Sequence, residues 1–374
     1  MAYQPNQDID LMTHYRLMDP PLGSLWIGFI RVLSGNPPFV QDWNWGESWQ
    51  ANLYNGHMPS TALLLTARIA QLLLFPFTCY FLYRFGRQMI NHWAGLLLVV
   101  LFALNPLIML HTRHAMAEGV LLFFISLLLM LITDQKHHPF LVPLIFGFAL
   151  NSKQTALFMI PVFLLYGLFL FIKAAGKQRI VIVTTFVILP ILVTYLLNPV
   201  SWENPIATFR ASIHERQVLS EASLQFMQNS YPEKISSSYP ERLVLVLYHT
   251  FFEPIALDDV ANYHAAQAEA FQRYLQDPLQ NTFRTIWMGA IALIGVLSAY
   301  LLQLTQTIRQ KHWPYPGLHQ WVLMYCGIIF GLAGLCLLPM IYQRYVLILI
   351  PFFTLQIVWL INDIIHTIAN KKPA

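Results

Sequence analysis

Apolar runs of bilayer-crossing length recur along most of this chain, at about residues 61–83, 92–110, 116–133, 139–151, 155–172, 179–198, 284–307, 318–338 and 344–362. A helix needs roughly 20 apolar residues to cross the hydrocarbon layer. Backbone placed there must satisfy its own hydrogen bonds, which such helices do. Of 374 residues 56% are hydrophobic and 11% charged, against about a quarter charged in a soluble domain; mean hydropathy is +0.51. The expected fold is therefore all-α, a polytopic transmembrane bundle of about nine spans. The fourth run is short and ends at Asn151–Gln154, so it is expected to be shallow or re-entrant, paired with the fifth.

Four regions follow from this pattern: an N-terminal segment 1–60, a six-span part 61–198, a polar loop 199–283 and a three-span part 284–374. Within the first, Pro20-Pro21 precede Leu22–Leu33, whose pattern is amphipathic. At about 12 residues it is too short to span and is expected to lie on the membrane surface. Trp43, Trp45 and Trp49 suit the water–lipid interface. In the loop, Thr208–Met227 and Asp258–Leu275 have helical amphipathic periodicity and are expected along the membrane face.

Basic residues set the expected orientation. Arg84, Arg87, Lys136, Lys173, Lys177, Arg179, Arg309, Lys311, Lys371 and Lys372 fall on one side if all nine runs span. By the positive-inside bias that side is the cytoplasm, as in a bacterial-type inner or plasma membrane. Segment 1–60, the turn after His111, Asn151–Gln154, the long loop and the turn before Arg344 then lie outside, with the C-terminus inside. The opening MAYQPNQDID has no basic start or apolar core of a signal peptide; an outside N-terminus then needs either a membrane helix preceding Met1, the favoured expectation, or a first span that inserts in reverse and carries the 60-residue tail across. A formal charge of +4, held mostly in short loops, speaks for membrane orientation and against nucleic-acid binding. Cys79, Cys326 and Cys336 sit inside apolar runs and show neither disulfide nor metal spacing.

Ionisable residues gather where two of the runs meet, in HTRHAMAEGVLLFF (His111–Phe124). Charge beside hydrocarbon is costly and marks function or a structural ion pair. Arg113 and Glu118 are the expected pair. Lys153 and Arg344 are further cations at apolar segments on the same expected face, with His111 and His114 nearby. Each has a plainer reading: a local ion pair for Arg113 with Glu118, a snorkelling side chain for Lys153, an interfacial anchor for Arg344, a helix cap for Asp19, a solvated tail for Asp8 and Asp10, and interfacial polar residues for the histidines.

Five stretches, in order, resemble the protein O-mannosyltransferases and the wider lipid-phosphate-sugar transferases of the GT-C fold. Met18–Gly35 (MDPPLGSLWIGFIRVLSG) is similar to their HPPLG stretch, with Met18-Asp19 before the prolines. Thr112–Phe124 (TRHAMAEGVLLFF) resembles their TRxxLLDxxLLFF, with Arg113 on the arginine and Glu118 on the aspartate. Gly147–Tyr166 (GFALNSKQTALFMIPVFLLY), Leu197–Ile206 (LNPVSWENPI) and Gln343–Phe352 (QRYVLILIPF) resemble later motifs.

The resemblance implies an enzyme that moves a sugar, mannose-like, from a polyprenyl-phosphate donor to a protein or glycolipid acceptor outside the membrane. It implies a carboxylate centre drawn from Glu118, Asp8, Asp10 and Asp19, and donor binding by Arg113, Lys153, Arg344, Arg16 and His114. No metal-ligand spacing is legible, and a need for a divalent metal stays open. Two alternatives stand beside this one: a catalytically inactive, GT-C-like accessory subunit of a larger membrane complex, and a lipid or solute transporter using the same outer cavity.

Overall fold

A computed structural model of the protein describes residues 11–38, 43–44, 47–134, 136, 138–230, 235–236, 238–255, 264–276, 278, 285–310, 317–338 and 340–370. Asp8 and Asp10 lie outside them. Every contact, count or absence given for the structure is among these described residues.

The N-terminal part forms a helical hairpin, α1 (Leu11–Met18) and α2 (Leu22–Leu33), followed by a short α3 (Trp49–Tyr54). Helix α2 has the bounds read from the sequence. Its Trp26 Nε1 donates to the Ala70 carbonyl at 2.7 Å, while Leu25, Phe29, Val32 and Leu33 are exposed. One edge thus rests on the bundle, and the apolar remainder suits the membrane surface.

The bundle begins with α4 (Thr61–Met89), started by Ser60, whose side chain accepts from the Leu63 amide at 3.2 Å. The next apolar run is broken into α5 (His92–Ala103) and α6 (Pro106–Arg113), bent by 68°. Asn105 and Pro106 make the break. The asparagine side chain caps the new helix by accepting from the Leu107 amide at 3.0 Å, and proline suits its first turn. Helix α7 (Glu118–Thr133) and α8 (Leu141–Leu150) follow, then a 3-10 turn (Gln154–Met159) leading into α9 (Ile160–Lys173), and α10 (Lys177–Leu197).

The polar loop supplies α11 (Pro205–Ser230), α12 (Tyr239–Phe251) and α13 (His264–Gln276). The C-terminal part holds α14 (Ile286–Gln310), α15 (Leu318–Leu337), a 3-10 turn (Gln343–Leu349) and α16 (Ile350–Asn370).

Six of these segments are long and apolar enough to cross a membrane, seven if the bent α5–α6 pair counts as one. The nine expected spans are therefore not matched by nine spanning helices. The difference lies in α7 and α8, of 16 and 10 residues. They rise only about 24 and 15 Å, short of the roughly 30 Å hydrocarbon layer. Both are nevertheless buried among neighbours, α7 between α4 and α8, and α8 against α10.

Close helix approach replaces the hydrophobic drive that lipid cannot supply. A Cβ on Gly95 of α5 would stand 2.6 Å from the Tyr83 carbonyl oxygen and 3.1 Å from the Arg87 amide nitrogen of α4. Gly147 lets α8 meet Pro190 and Val193 of α10, beside the stacked rings of Phe146, Phe163 and Phe186, whose centroids lie 4.2 and 4.7 Å apart. Along α10 and α14, Val183, Val187, Ile191, Ile291, Ile294 and Leu301 are exposed, as lipid-facing residues would be.

A side chain at Gly95 meets backbone and cannot be relieved by a rotamer change. Gly95→Val is expected to cost about 1–3 kcal/mol, read as a lower thermal unfolding midpoint in detergent. Gly28→Ala, with nothing within 4 Å of the new Cβ, is expected to leave the midpoint in place. Equal midpoints for Gly95→Val and the parent would contradict the α4–α5 contact.

Candidate active site

The break that ends α6 also turns the chain so that α7 starts on Glu118, 1% exposed. Its partner comes from the turn after α8. Asn151 and Ser152 fold back onto the last turn of that helix, Ser152 Oγ donating to the Ala149 carbonyl at 2.6 Å. Lys153 is thereby extended, and its Nζ donates to Glu118 Oε1 in a short ion pair. The sequence pairs Glu118 with Arg113, and the structure corrects this. Arg113 ends α6 and Glu118 opens α7, whereas the ion-pair partner of Glu118, Lys153, comes from the turn after α8.

Arg344, at the start of the 3-10 turn before α16, joins the pair. Its guanidinium lies 5.7 and 5.8 Å from the ring centroids of Tyr342 and Tyr345, and Lys153 Nζ lies 5.4 Å from that of Tyr345. One ring thus carries both cations. The charges of Lys153 and Arg344 both act on Glu118 and on His111. His111, 5% exposed on α6, makes no hydrogen bond from either ring nitrogen, and Glu118 Oε2 makes none. Two cations therefore act on one buried carboxylate, and Glu118 Oε2 and the His111 ring remain open beside them. Such a site favours an anion and a hydroxyl together.

The N-terminal hairpin closes over this cluster. Gly23 of α2 lies against Ala117, where an added Cβ would be 3.1 Å from the alanine Cβ. The Leu22 amide donates to the Asn151 carbonyl at 2.8 Å, and Gln154 Nε2 donates to the Met18 carbonyl at 2.7 Å. From the other side α11 clasps α1: Arg216 donates to the Met18 carbonyl and Ser212 to that of Leu17, both at 2.6 Å, and His14 Nδ1 meets Glu215 Oε2 at 2.6 Å. Asn198 Nδ2 ties the exit of α10 to Asn151 Oδ1 at 2.7 Å.

The remaining sequence candidates fall around this core. Asp19 sits at the hairpin turn, its side chain 65% exposed, with Arg216 3.4 Å away. Arg16 is exposed on α1. Arg113 is half-buried, and its charge bears on His114. Burial, together with the Arg68 and Arg113 charges, pushes the His114 imidazole down to about 4, so it is neutral at pH 7. Its ring meets that of His111 edge-on at 6.1 Å. Asp8 and Asp10 lie outside the described residues. No group of three or more His, Cys, Asp or Glu side chains is placed to hold a metal ion.

Sequence reading missed Tyr345, Arg216, Asn151, Asn198 and Gln71. Gln71 of α4 is fully buried, its amide group makes no hydrogen bond, and it packs on Gly119, where a Cβ would be 2.4 Å from Oε1. A glutamine inside an apolar run was the available signal. Arg216 carried none, since it reads as one polar residue on an amphipathic helix.

Residues 61–202 match the sequence model of the dolichyl-phosphate-mannose-protein mannosyltransferase family. The matched segment carries Glu118, Lys153, Arg113, His114 and the Asn151–Asn198 tie, while Asp19 and Arg344 fall to either side of it. The structure is similar to that of the archaeal oligosaccharyltransferase AglB from Archaeoglobus fulgidus in complex with an inhibitory peptide and a dolichol-phosphate. The TM-score is 0.46 at 9% identity, over 96% of this chain and 49% of that one. The chain thus spans about half the length of that relative. No curated protein sequence matches the chain significantly.

Breaking a buried pair strands a charge. Lys153→Met is expected to destabilise the protein by about 3–5 kcal/mol, and Lys153→Met combined with Glu118→Leu to recover most of that loss, as read by thermal unfolding in detergent. A double variant no more stable than Lys153→Met would show that the two side chains do not act as a pair.

Proposed function

We propose that the chain is a GT-C-type membrane glycosyltransferase that takes mannose from a polyprenyl phosphate and places it on a protein hydroxyl. The observation that carries this reading is the juxtaposition at the site: Lys153 and Arg344 share the Tyr345 ring, and both charges act on the buried carboxylate of Glu118. The match of residues 61–202 to the mannosyltransferase family supports the donor class, the sugar and the acceptor.

In this reading Lys153 and Arg344 hold the donor phosphate. Arg344 grips it through paired N–H groups and Lys153 acts as a point charge. The acceptor hydroxyl oxygen attacks the sugar C1, the bond from C1 to the phosphate oxygen breaks, and polyprenyl phosphate leaves with the electron pair. Both cations stabilise the charge that develops on the leaving group. Glu118 Oε2, open while Oε1 holds Lys153, orients the hydroxyl and takes up its proton, and a second carboxylate from the N-terminal part (Asp19, Asp8 or Asp10) is the further candidate for the acidic centre. In the same reading Arg113, Arg16 and His114 assist donor binding, and the prenyl tail runs along the exposed apolar residues of α2. The site end of the bundle faces away from the cytoplasm, on the distribution of lysine and arginine between the chain's short loops.

Membranes containing the protein are expected to move labelled mannose from polyprenyl-phosphate-mannose to endogenous protein. Arg344→Gln is expected to lower the rate about 10²-fold or more, and Glu118→Gln to lower it comparably, with both variants present at the parent's level. Parent-like transfer by both variants would overturn the site assignment. No transfer by the parent from any polyprenyl-phosphate sugar would favour the accessory-subunit reading.

A further inference from the structure

The two helices that leave the Glu118–Lys153 pair run to a second cationic site. Helix α7 starts at Glu118 and ends at Thr133, and the 3-10 turn with α9 leads from Lys153 to Lys173. Sixteen helical residues put the end of α7 about 24 Å from its start. There the ends of α4, α7 and α9 and the start of α15 surround a cavity of about 690 Å³, within the range of small-molecule sites.

Four full positive charges line it, Arg84 and Arg87 from α4, Lys136 after α7 and Lys173 at the end of α9. None has a carboxylate within 4.0 Å among the described residues. The one lining carboxylate, Asp134, is already engaged: Oδ1 accepts from the Lys136 amide at 3.1 Å and Oδ2 lies 3.3 Å from His138 Nε2. Thr133 holds the wall together, donating to Gln88 Oε1 at 2.8 Å and receiving Gln320 Nε2 on its carbonyl. One side is a stacked aromatic surface, with His319 on Phe169 at 4.1 Å between centroids and Lys173 Nζ 4.3 Å from the Phe169 ring. Next in the chain to these lining residues, Ile172 and Leu318 are 66% and 50% exposed.

A structural anchor role needs basic residues near the membrane surface but not from three elements around one cavity. We propose that this cavity is a second anion site that binds the phosphate headgroup of an anionic membrane lipid, at the end of the bundle remote from the proposed chemistry. Arginine and lysine supply the phosphate contacts, and the exposed apolar residues at the rim lie where acyl chains would run. Free phosphate or pyrophosphate has the same charge chemistry without the chains.

The test is thermal unfolding of the purified full chain in detergent with short-chain phosphatidylglycerol, phosphatidylcholine, inorganic phosphate or pyrophosphate. Phosphatidylglycerol is expected to raise the midpoint by about 3 °C or more over phosphatidylcholine, and Arg87→Gln/Lys136→Gln/Lys173→Gln, all at exposed positions, to lose most of that rise. An equal rise with pyrophosphate, lost in the same variant, supports the site with a soluble ligand. No rise over phosphatidylcholine with any anion, or a rise undiminished in the triple variant, overturns it. Should the triple variant not fold, Arg87→Gln and Lys173→Gln taken singly decide: a reduced shift supports the site and an unchanged one refutes it.

Discussion

An ammonium and a carboxylate held together inside a membrane bundle set the terms for everything around them. Removing Glu118 and Lys153 from water costs several kcal/mol per ion, and their attraction offsets this only with close geometry and further polar contacts. The fold meets the first condition by starting α7 on Glu118 and breaking the chain after α8 at Asn151 and Ser152. It meets the second only in part, because Glu118 Oε2 and both nitrogens of His111 are buried without hydrogen bonds. Purely structural ion pairs tend to be fully satisfied. A pair left open on one side, with a further cation beside it, is arranged for something that arrives.

The hairpin α1–α2 and helix α11 give the cluster its roof, and they do so through backbone carbonyls. The carbonyls of Leu17 and Met18 receive Ser212, Arg216 and Gln154, so two distant stretches of sequence meet on two peptide groups. Those peptides precede Asp19-Pro20-Pro21, where proline rings fix the backbone and leave its carbonyls to outside donors. The hairpin is thus fastened to both the bundle and the long polar loop, and any movement of α11 acts directly on the approach to Glu118.

Much of this was legible. The apolar runs locate α4, α9, α10, α14, α15 and α16, and the short helix Leu22–Leu33 has the bounds its period gives. The five resemblant stretches also prove to be neighbours: Gly23 touches Ala117, Leu22 reaches Asn151, Asn151 reaches Asn198, and Lys153 reaches both Glu118 and Tyr345. What hydropathy could not show is where a run stops being one helix. The Asn105-Pro106 break is two residues in a long apolar stretch, and the shortness of α7 and α8 depends on turns whose polar residues, such as Ser152, are few. Pairing was misread for a related reason. Arg113 and Glu118 are close in sequence, but the ion pair of Glu118 is made with a residue 35 positions away. Contacts made by backbone carbonyls, as at Met18, leave no mark on side-chain pattern at all.

The two ends of the bundle carry different electrostatics. One holds a compact, buried cluster with a carboxylate at its centre; the other is a broad basin of cations with its one acid already engaged. The account turns on the compact end receiving the phosphate of a prenylated donor. An experimental structure of the protein with bound polyprenyl phosphate tests this most directly. The account predicts the phosphate between Lys153 and Arg344, with oxygens about 2.7–2.9 Å from both side chains and the tail passing along α2. A phosphate resolved elsewhere, with Lys153 and Arg344 making no contact to it, would contradict the account.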